Sequence, residues 1–465
     1  MYYSLCSDYA LRGWKGRPWT LVRRPENKVK VLKQEEFQTL LLCDGLTEFE
    51  TGEIEDWMRE LLVQYEKDGI VEASKGERPL KEDQFYQYYD NRFVNSVLWS
   101  VTGRCNCRCR HCYMDAPEGA MGELSHEQAM ELIRQMEQCG VLCIDLTGGE
   151  PFVRTDFWEL IDSIQLHGMT IGQIYTNGLM LNEEILYQFS KRELKPEFSF
   201  SFDGAGWHDW MRGVRGAEAA VLKAMRLCRE QGFATSAEMC IHRGNRDTFA
   251  QTVELLAGMG VSRLRVGNVM ETALWKAQSE GKGLDFREYL ETVLAYIPQF
   301  YEMGMPMNIL LGGVIRLRKD SVAFSVVPEK YAETERSGKR LTCGAARYTC
   351  YIAPEGRLLP CMPMTACRDQ RVFPLVQDVG LKKGLSNSFY MDIVSRRVED
   401  LLAVNAKCAV CDHKYQCGGG CRAAALEQTG DLMGCDGTQC ILWNEGYVDR
   451  IRETAEASVA KYCKV

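Results

Sequence analysis

From Ser96 to about Met270 the hydrophobic period of the sequence switches back and forth, and few folds accommodate such a pattern. Short runs rich in β-branched and aromatic residues fall at Ser96–Val101, Cys143–Thr147, Gly172–Thr176, Glu197–Phe202, Thr235–Ile241 and Arg263–Val266. Each has the length of a buried strand. Between them lie amphipathic stretches of helical period at Ser125–Gln138, Asp156–Leu166, Glu183–Arg192, Ala217–Gln231 and Thr248–Met259. Ser125 followed by Gln128 reads as a capping box, and Gly140, Gly168, Gly232 and Gly260 stand where these helices should stop. The alternation predicts an α/β protein built from parallel βα units, closing as a partial (β/α)6 TIM-like barrel or lying open as a sheet. In either arrangement, functional residues belong at the C-terminal ends of the strands.

This central segment, 92–270, is flanked by others. Residues 1–80 read as a winged-helix-like unit, with strands at Pro18–Val22, Val29–Leu32 and Ile70–Ala73 and helices at Glu35–Cys43 and Ile54–Lys67. A polar stretch, Ser74–Gln84, separates it from the barrel. Residues 271–342 form a bridging region with one clear helix at Phe286–Glu302. Residues 343–445 are rich in cysteine and glycine with little periodicity, so the segment needs metal clusters to hold it together. The last segment, 446–465, belongs to a closing helix at Asn444–Tyr462. A formal charge of −8 leaves no basic footprint, which argues against nucleic acid as the main partner. No signal peptide and no membrane-length apolar run is evident, so a cytoplasmic protein with no membrane partner is expected.

Cysteine is out of proportion: there are 21, grouped at 105–112, 343–361 and 408–440. In a reducing compartment such groups bind metals or iron–sulfur centres more often than they form disulfides. Cys105-x3-Cys109-x2-Cys112 follows the first strand and can ligate three corners of a cubane, leaving one iron open. A zinc site needs a fourth ligand, which His111 or Cys107 can supply, so both metals stay open at this point.

The sequence here resembles the radical S-adenosylmethionine (SAM) superfamily, whose signature is this spacing followed by an aromatic residue, in this chain Tyr113. Thr147-Gly148-Gly149-Glu150-Pro151, ending the second strand, matches the family motif that receives the SAM amino group. Glycines let a ligand approach the backbone, and Glu150 or exposed carbonyls accept from an ammonium. Tyr175-Thr176-Asn177-Gly178 and Ser199-Phe200-Ser201-Phe202-Asp203-Gly204 resemble segments lining the SAM pocket. Asn177 and Ser201 are therefore candidate SAM contacts, against the alternative of ordinary strand-end residues. Arg243 is a candidate for the SAM carboxylate, against a surface salt bridge. His208-Asp209 with Arg212-Gly213 and Gly216 also resembles a loop of this subfamily. The resemblance implies that the open iron binds SAM and that one electron releases a 5′-deoxyadenosyl radical able to remove a hydrogen atom.

Downstream, Cys343, Gly356 and Cys361 precede Cys408-x2-Cys411-x5-Cys417-x3-Cys421 and Cys440. Zinc competes for the Cys408-x2-Cys411 pair. The whole series resembles the SPASM extension of radical SAM enzymes, which implies two auxiliary [4Fe–4S] clusters and three in all. By that resemblance Cys408, Cys411, Cys417 and Cys440 hold the distal cluster, with Cys435 a rival to Cys440. Cys343, Cys361 and Cys421 hold the proximal one, with Cys350 the candidate fourth ligand. The N-terminal unit resembles leader-recognition elements of enzymes that modify ribosomal peptides, where a leader adds as an extra strand. The expectation is a peptide maturase acting on a precursor peptide with a leader segment, fed by a flavodoxin or ferredoxin. A thioether from cysteine sulfur to carbon is the first product expected. Carbon–carbon crosslinking and formylglycine formation are the alternatives, and a non-catalytic iron–sulfur or zinc scaffold is the rival class.

Overall fold

The computed structural model describes residues 1–49, 55–114, 119–326, 335–366 and 370–463. The six expected strands are present as β1 (Ser96–Ser100), β2 (Cys143–Thr147), β3 (Thr170–Thr176), β4 (Glu197–Ser201), β5 (Thr235–Ile241) and β6 (Arg263–Asn268). Each pairs in parallel with the next. Their alternation sets two faces. Val97, Trp99, Ile144, Leu146, Phe198, Phe200, Met239 and Val266 are buried in the main core. Leu98, Tyr175, Ser201, Glu238 and Arg265 line a cleft. The helices between the strands are α1 (His126–Gln138), α2 (Phe157–Leu166), α3 (Glu183–Lys191), α4 (Ala217–Glu230) and α5 (Phe249–Gly258). The Ser125–Gln128 capping box forms as read, and α1 buries Ala129, Leu132, Ile133 and Met136. Truncating one of these leucines or isoleucines to alanine costs about 2–5 kcal/mol.

The sheet extends beyond the six strands. Asn308–Leu311 (β7) adds in parallel to β6, and short antiparallel strands at Ile315–Leu317 and Phe324–Val326 follow it. On the opposite side Thr349–Ile352 (β8) adds in parallel to β1. The result, among the described residues, is an eleven-stranded open sheet whose parallel centre is a partial barrel. The region 271–342 is thus more than a bridge: besides the helix Phe286–Glu302 (α6) it supplies sheet strands. The cysteine-rich segment also contributes β8 and the short antiparallel strand Leu358–Leu359 beside it, which completes the eleven, and its other elements are short helices. The closing helix, Tyr447–Tyr462 (α7), lies against α6, with Glu291 taking both Arg450 and the Tyr447 hydroxyl.

The N-terminal unit contains two sheets. One orders 44–48, 2–5 and 71–74; the other orders 28–31, 17–23, 9–15 and 87–92. Helices at Gln34–Leu42 and Asp56–Lys67 cover a core of Leu5, Phe37, Leu40, Leu62 and Tyr65. Ile54, expected to begin the second helix, lies outside the described residues. The boundary at residue 80 requires correction, because Gln87–Arg92 pairs in parallel with the strand Tyr9–Lys15. Ser74–Gln84 is tied back as well: Arg78 N–H donates to Gly45, and the Gln84 amide donates to Leu5 and Cys6 carbonyls. A polar sequence therefore serves here as hydrogen-bonded edge, not linker. Trp14, fully buried, stacks on Tyr89 and donates to the Cys139 carbonyl at 3.0 Å, docking the unit onto the end of α1.

Candidate active site

A cleft of about 290 Å³ opens at the C-terminal ends of the strands. It gathers Cys105, Cys109, Cys112, Tyr113, Gly148, Gly149, Asn177 and Ser201, residues drawn from four separate strand-end loops. The cysteine loop is held there by backbone. Gly149 N–H donates to Thr102 O and Glu150 N–H to Arg104 O, both at 2.9 Å. A Cβ on Gly149 would overlap the Arg104 carbonyl, so this glycine serves the approach of one loop to another. From the other side Arg108 N–H donates to Arg212 O and Arg110 N–H to Met211 O.

Glu150 lies beneath the cleft, fully buried. Its carboxylate accepts from the Thr176 hydroxyl and from the backbone N–H of Asn177 and Phe152. Burial pushes its pKa up to about 7 against those hydrogen bonds. It braces the Asn177 turn, and the Asn177 amide in turn reaches Asn106 Oδ1 at 2.6 Å and Cys105 Sγ at 3.8 Å.

Arg243 requires a correction. It is exposed, pairs with both oxygens of Glu288 and donates to the Gly281 carbonyl, so it is the surface salt bridge and does not line the cleft. The chain turns outward after His242, a direction that strand-end sequence does not encode. The arginines that do line the cleft are Arg212 and Arg265.

The spacing of the donor atoms bears on zinc against a cluster. Thiolates about 2.3 Å from one tetrahedral zinc lie about 3.8 Å apart. Among the described residues, the group of three metal-binding side chains with ligand atoms within 4.8 Å is His111, Asp203 and Cys240. Cys105, Cys109 and Cys112 do not converge so tightly, although His111 lies in the same cleft and within electrostatic reach of Cys109. That spread fits a polynuclear cluster, whose thiolates bind different irons. The His111–Asp203–Cys240 trio is itself no cation site, because the Arg212 guanidinium already pairs with Asp203 at 2.7 Å. Cys107 is buried beside Cys105 and Cys109, its backbone N–H donating to Cys105 Sγ at 3.3 Å, and hydrogen bonding within the trio lowers the pKa values of Cys105 and Cys109 and raises its own.

The C-terminal cysteines form two groups. Cys408, Cys411, Cys417 and Cys440 line a cavity of about 40 Å³, and Cys435 joins them with its sulfur 3.6 Å from that of Cys408. Cys343, Cys361 and Cys421 lie within electrostatic reach of one another. Cys350 is not brought to them. It sits on β8 opposite Val97, on the face buried in the main core, with Arg92 and Cys139 as its charged or ionisable neighbours. The next residue, Tyr351, takes the other face, where Cys361 packs. Tyr351 hydrogen-bonds the Ser100 hydroxyl and approaches the Tyr113 hydroxyl at 3.4 Å. Met362, next to Cys361, lines the cleft itself.

Residues 99–256 match the family model described as the radical SAM superfamily. The chain is 28% identical over 339 residues to a PqqA peptide cyclase of Granulibacter bethesdensis, covering 72% of this chain and 84% of that protein. It is 24% identical over 352 residues to an AdoMet-dependent heme synthase of Methanosarcina barkeri, covering 72% and 93%. In fold it is similar to Streptococcus suis SuiB, crystallised with its precursor peptide SuiA. That likeness has a TM-score of 0.65 at 16% identity and covers 94% of this chain and 99% of the other.

Proposed function

Residues 99–256 being a radical SAM domain, we propose that this enzyme is a maturase that abstracts hydrogen from a ribosomally made precursor peptide. Cys105, Cys109 and Cys112 would hold the SAM-binding [4Fe–4S] cluster. Together the cluster and SAM supply a hydrogen-abstracting organic radical, chemistry that belongs to the cofactors. The chain's own residues position and enclose. Gly148 and Gly149 present backbone to the cleft, while Asn177 orients the cysteine loop from the side and Glu150 fixes Asn177 from below. Tyr113 and Ser201 line the wall where SAM would lie.

The observation that carries the peptide reading is the fold likeness to SuiB, which spans nearly the whole chain, N-terminal unit included. A peptide cyclase among the relatives points the same way. The heme synthase is the rival; it covers the same 72% of this chain as the cyclase, at 24% identity against 28%. In our reading the N-terminal unit takes the leader by strand addition at a sheet edge. Cys408, Cys411, Cys417 and either Cys435 or Cys440 hold a distal auxiliary cluster. Cys343, Cys361 and Cys421 hold a proximal one, beside the cleft through Met362. An oxidising centre there suits a thioether crosslink, which must shed a second electron; carbon–carbon crosslinking is the next product. A flavodoxin or ferredoxin would supply the first electron.

The test is anaerobic reconstitution with iron and sulfide, reduction in the presence of SAM, and coexpression with short cysteine-rich reading frames beside the gene. About twelve irons per chain, release of 5′-deoxyadenosine and a peptide lighter by two hydrogens are expected. Bound zinc and no 5′-deoxyadenosine would refute the enzyme reading. An unmodified peptide together with turnover of a porphyrin would favour the heme-type rival.

A further inference from the structure

The segment His208–Gly216 is built to hold one side chain against the cysteine loop. His208 is buried, stacks on Phe202, and accepts the Asp203 backbone N–H at its Nδ1. Asp209 accepts from the backbone N–H of Gly216 and Glu218, opening α4. Gly213 caps the helical turn His208–Arg212 in the left-handed region, φ 65°, and a Cβ there would overlap the Arg108 carbonyl. With the two backbone hydrogen bonds from Arg108 and Arg110, this fixes the turn to the cysteine loop. The product of that construction is Arg212. Its guanidinium is buried, donates to Cys109 Sγ at 3.6 Å, and pairs through its other nitrogen with fully buried Asp203 at 2.7 Å. Asp203 is itself anchored by the Cys240 N–H and the Asn245 amide.

We propose that Arg212 is a positioning residue that raises the reduction potential of the SAM-binding cluster through the sulfur of Cys109, with Asp203 setting how much of its charge the cluster feels. The proposal rests on the cluster reading above. Taking up one electron adds one negative charge to the cluster and breaks no bond. A buried donor aimed at a ligand sulfur stabilises the reduced form more than the oxidised form. Asp203 lies beyond the guanidinium and opposes that effect without abolishing it, because the sulfur faces the positive end of the pair. The remaining charged or titratable groups around the pair are His111, His208, His242 and Cys240.

The reconstituted full chain is titrated with dithionite, following by electron paramagnetic resonance the signal that SAM perturbs. Removing both charges in R212M/D203N should lower the midpoint potential. Removing only the opposing charge in D203N should raise it. Each shift should alter the reduced-to-oxidised ratio at fixed potential at least tenfold, about 59 mV for a one-electron couple. R212K, which keeps the charge and loses the fork geometry, should fall between the double variant and wild type. It stands in if R212M/D203N fails to hold iron. Shifts of one sign, or none, would overturn the proposal and leave Arg212 a structural clamp. Absence of a SAM-perturbed signal in the wild type would instead defeat the cluster reading itself.

Discussion

Replacing Gly149 by alanine tests whether the cysteine loop is built against the glycine turn. The added methyl would overlap the Arg104 carbonyl oxygen and lie 2.6 Å from its carbon and 3.0 Å from Cys105 Cβ. Two of these neighbours are backbone atoms, so no rotamer change relieves the crowding. Overpacking of this kind costs about 1–3 kcal/mol. Separating the loops also strains the Gly149–Thr102 and Glu150–Arg104 hydrogen bonds, each worth about 0.5–1.5 kcal/mol. The sum, about 2–6 kcal/mol, is a large share of the roughly 5–15 kcal/mol that stabilises a typical domain. Because the displaced residue is Cys105, the loss should concentrate at the cluster. Thermal melting and iron analysis after reconstitution measure the two effects. Gly149→Ala should melt lower and bind about four fewer irons per chain, the content of one cubane. Gly258→Ala at the end of α5 meets nothing within 4 Å and serves as control. If Gly149→Ala melts with that control and keeps its full iron, the loop contact does not do what is claimed for it.

Arg243→Ala should leave SAM affinity unchanged in equilibrium dialysis, since its partners are Glu288 and Gly281 on the surface. Cys350→Ala should keep the full iron content yet lose roughly 1 kcal/mol of stability for the removed buried sulfur, seen as a lower melting temperature. Glu150, raised in the fold from 4.5 to about 7, contributes stability that is fully present below about pH 4.5 and is lost as the pH rises through 7. Glu150→Gln should therefore flatten the fall in melting temperature across that window, and an unchanged slope would remove Glu150 as its source. Of Cys435→Ser and Cys440→Ser, one should lower the iron content and the other should not, which identifies the fourth ligand of the distal site.

The six central strands were legible because each is a compact apolar run between helices of clear period. Their observed ends lie within two residues of the reading at both termini. What escaped were strands defined by a partner and not by their own pattern. Thr349–Ile352 is four residues long in a cysteine-rich stretch, and Gln87–Arg92 is mostly polar; each becomes a strand by adding to an edge. The site shows the same division. Spacing identified the loop residues that share the cleft, because strand ends converge by topology. Side-chain direction was not legible: Arg243 turns outward, Arg212 inward, and nothing in Ile241-His242-Arg243 or Trp210-Met211-Arg212 distinguishes them. Cys350 was misplaced for a related reason, since only the strand around it reveals which face it takes.

The addition of β8 to β1 has a consequence for how the chain matures. Ser100 and Tyr351 touch across 251 residues of sequence. During synthesis the first barrel strand, apolar and next to the cysteine loop, therefore keeps an unpaired edge until most of the protein has emerged. Such an edge is a template for wrong pairing, and contacts this distant close slowly. Iron–sulfur assembly at Cys105–Cys112 has that same interval in which the loop is reachable. Closure of β8 would then end both the exposure and the access, so that truncation before Ile352 should yield an aggregating barrel even though all six central strands are present.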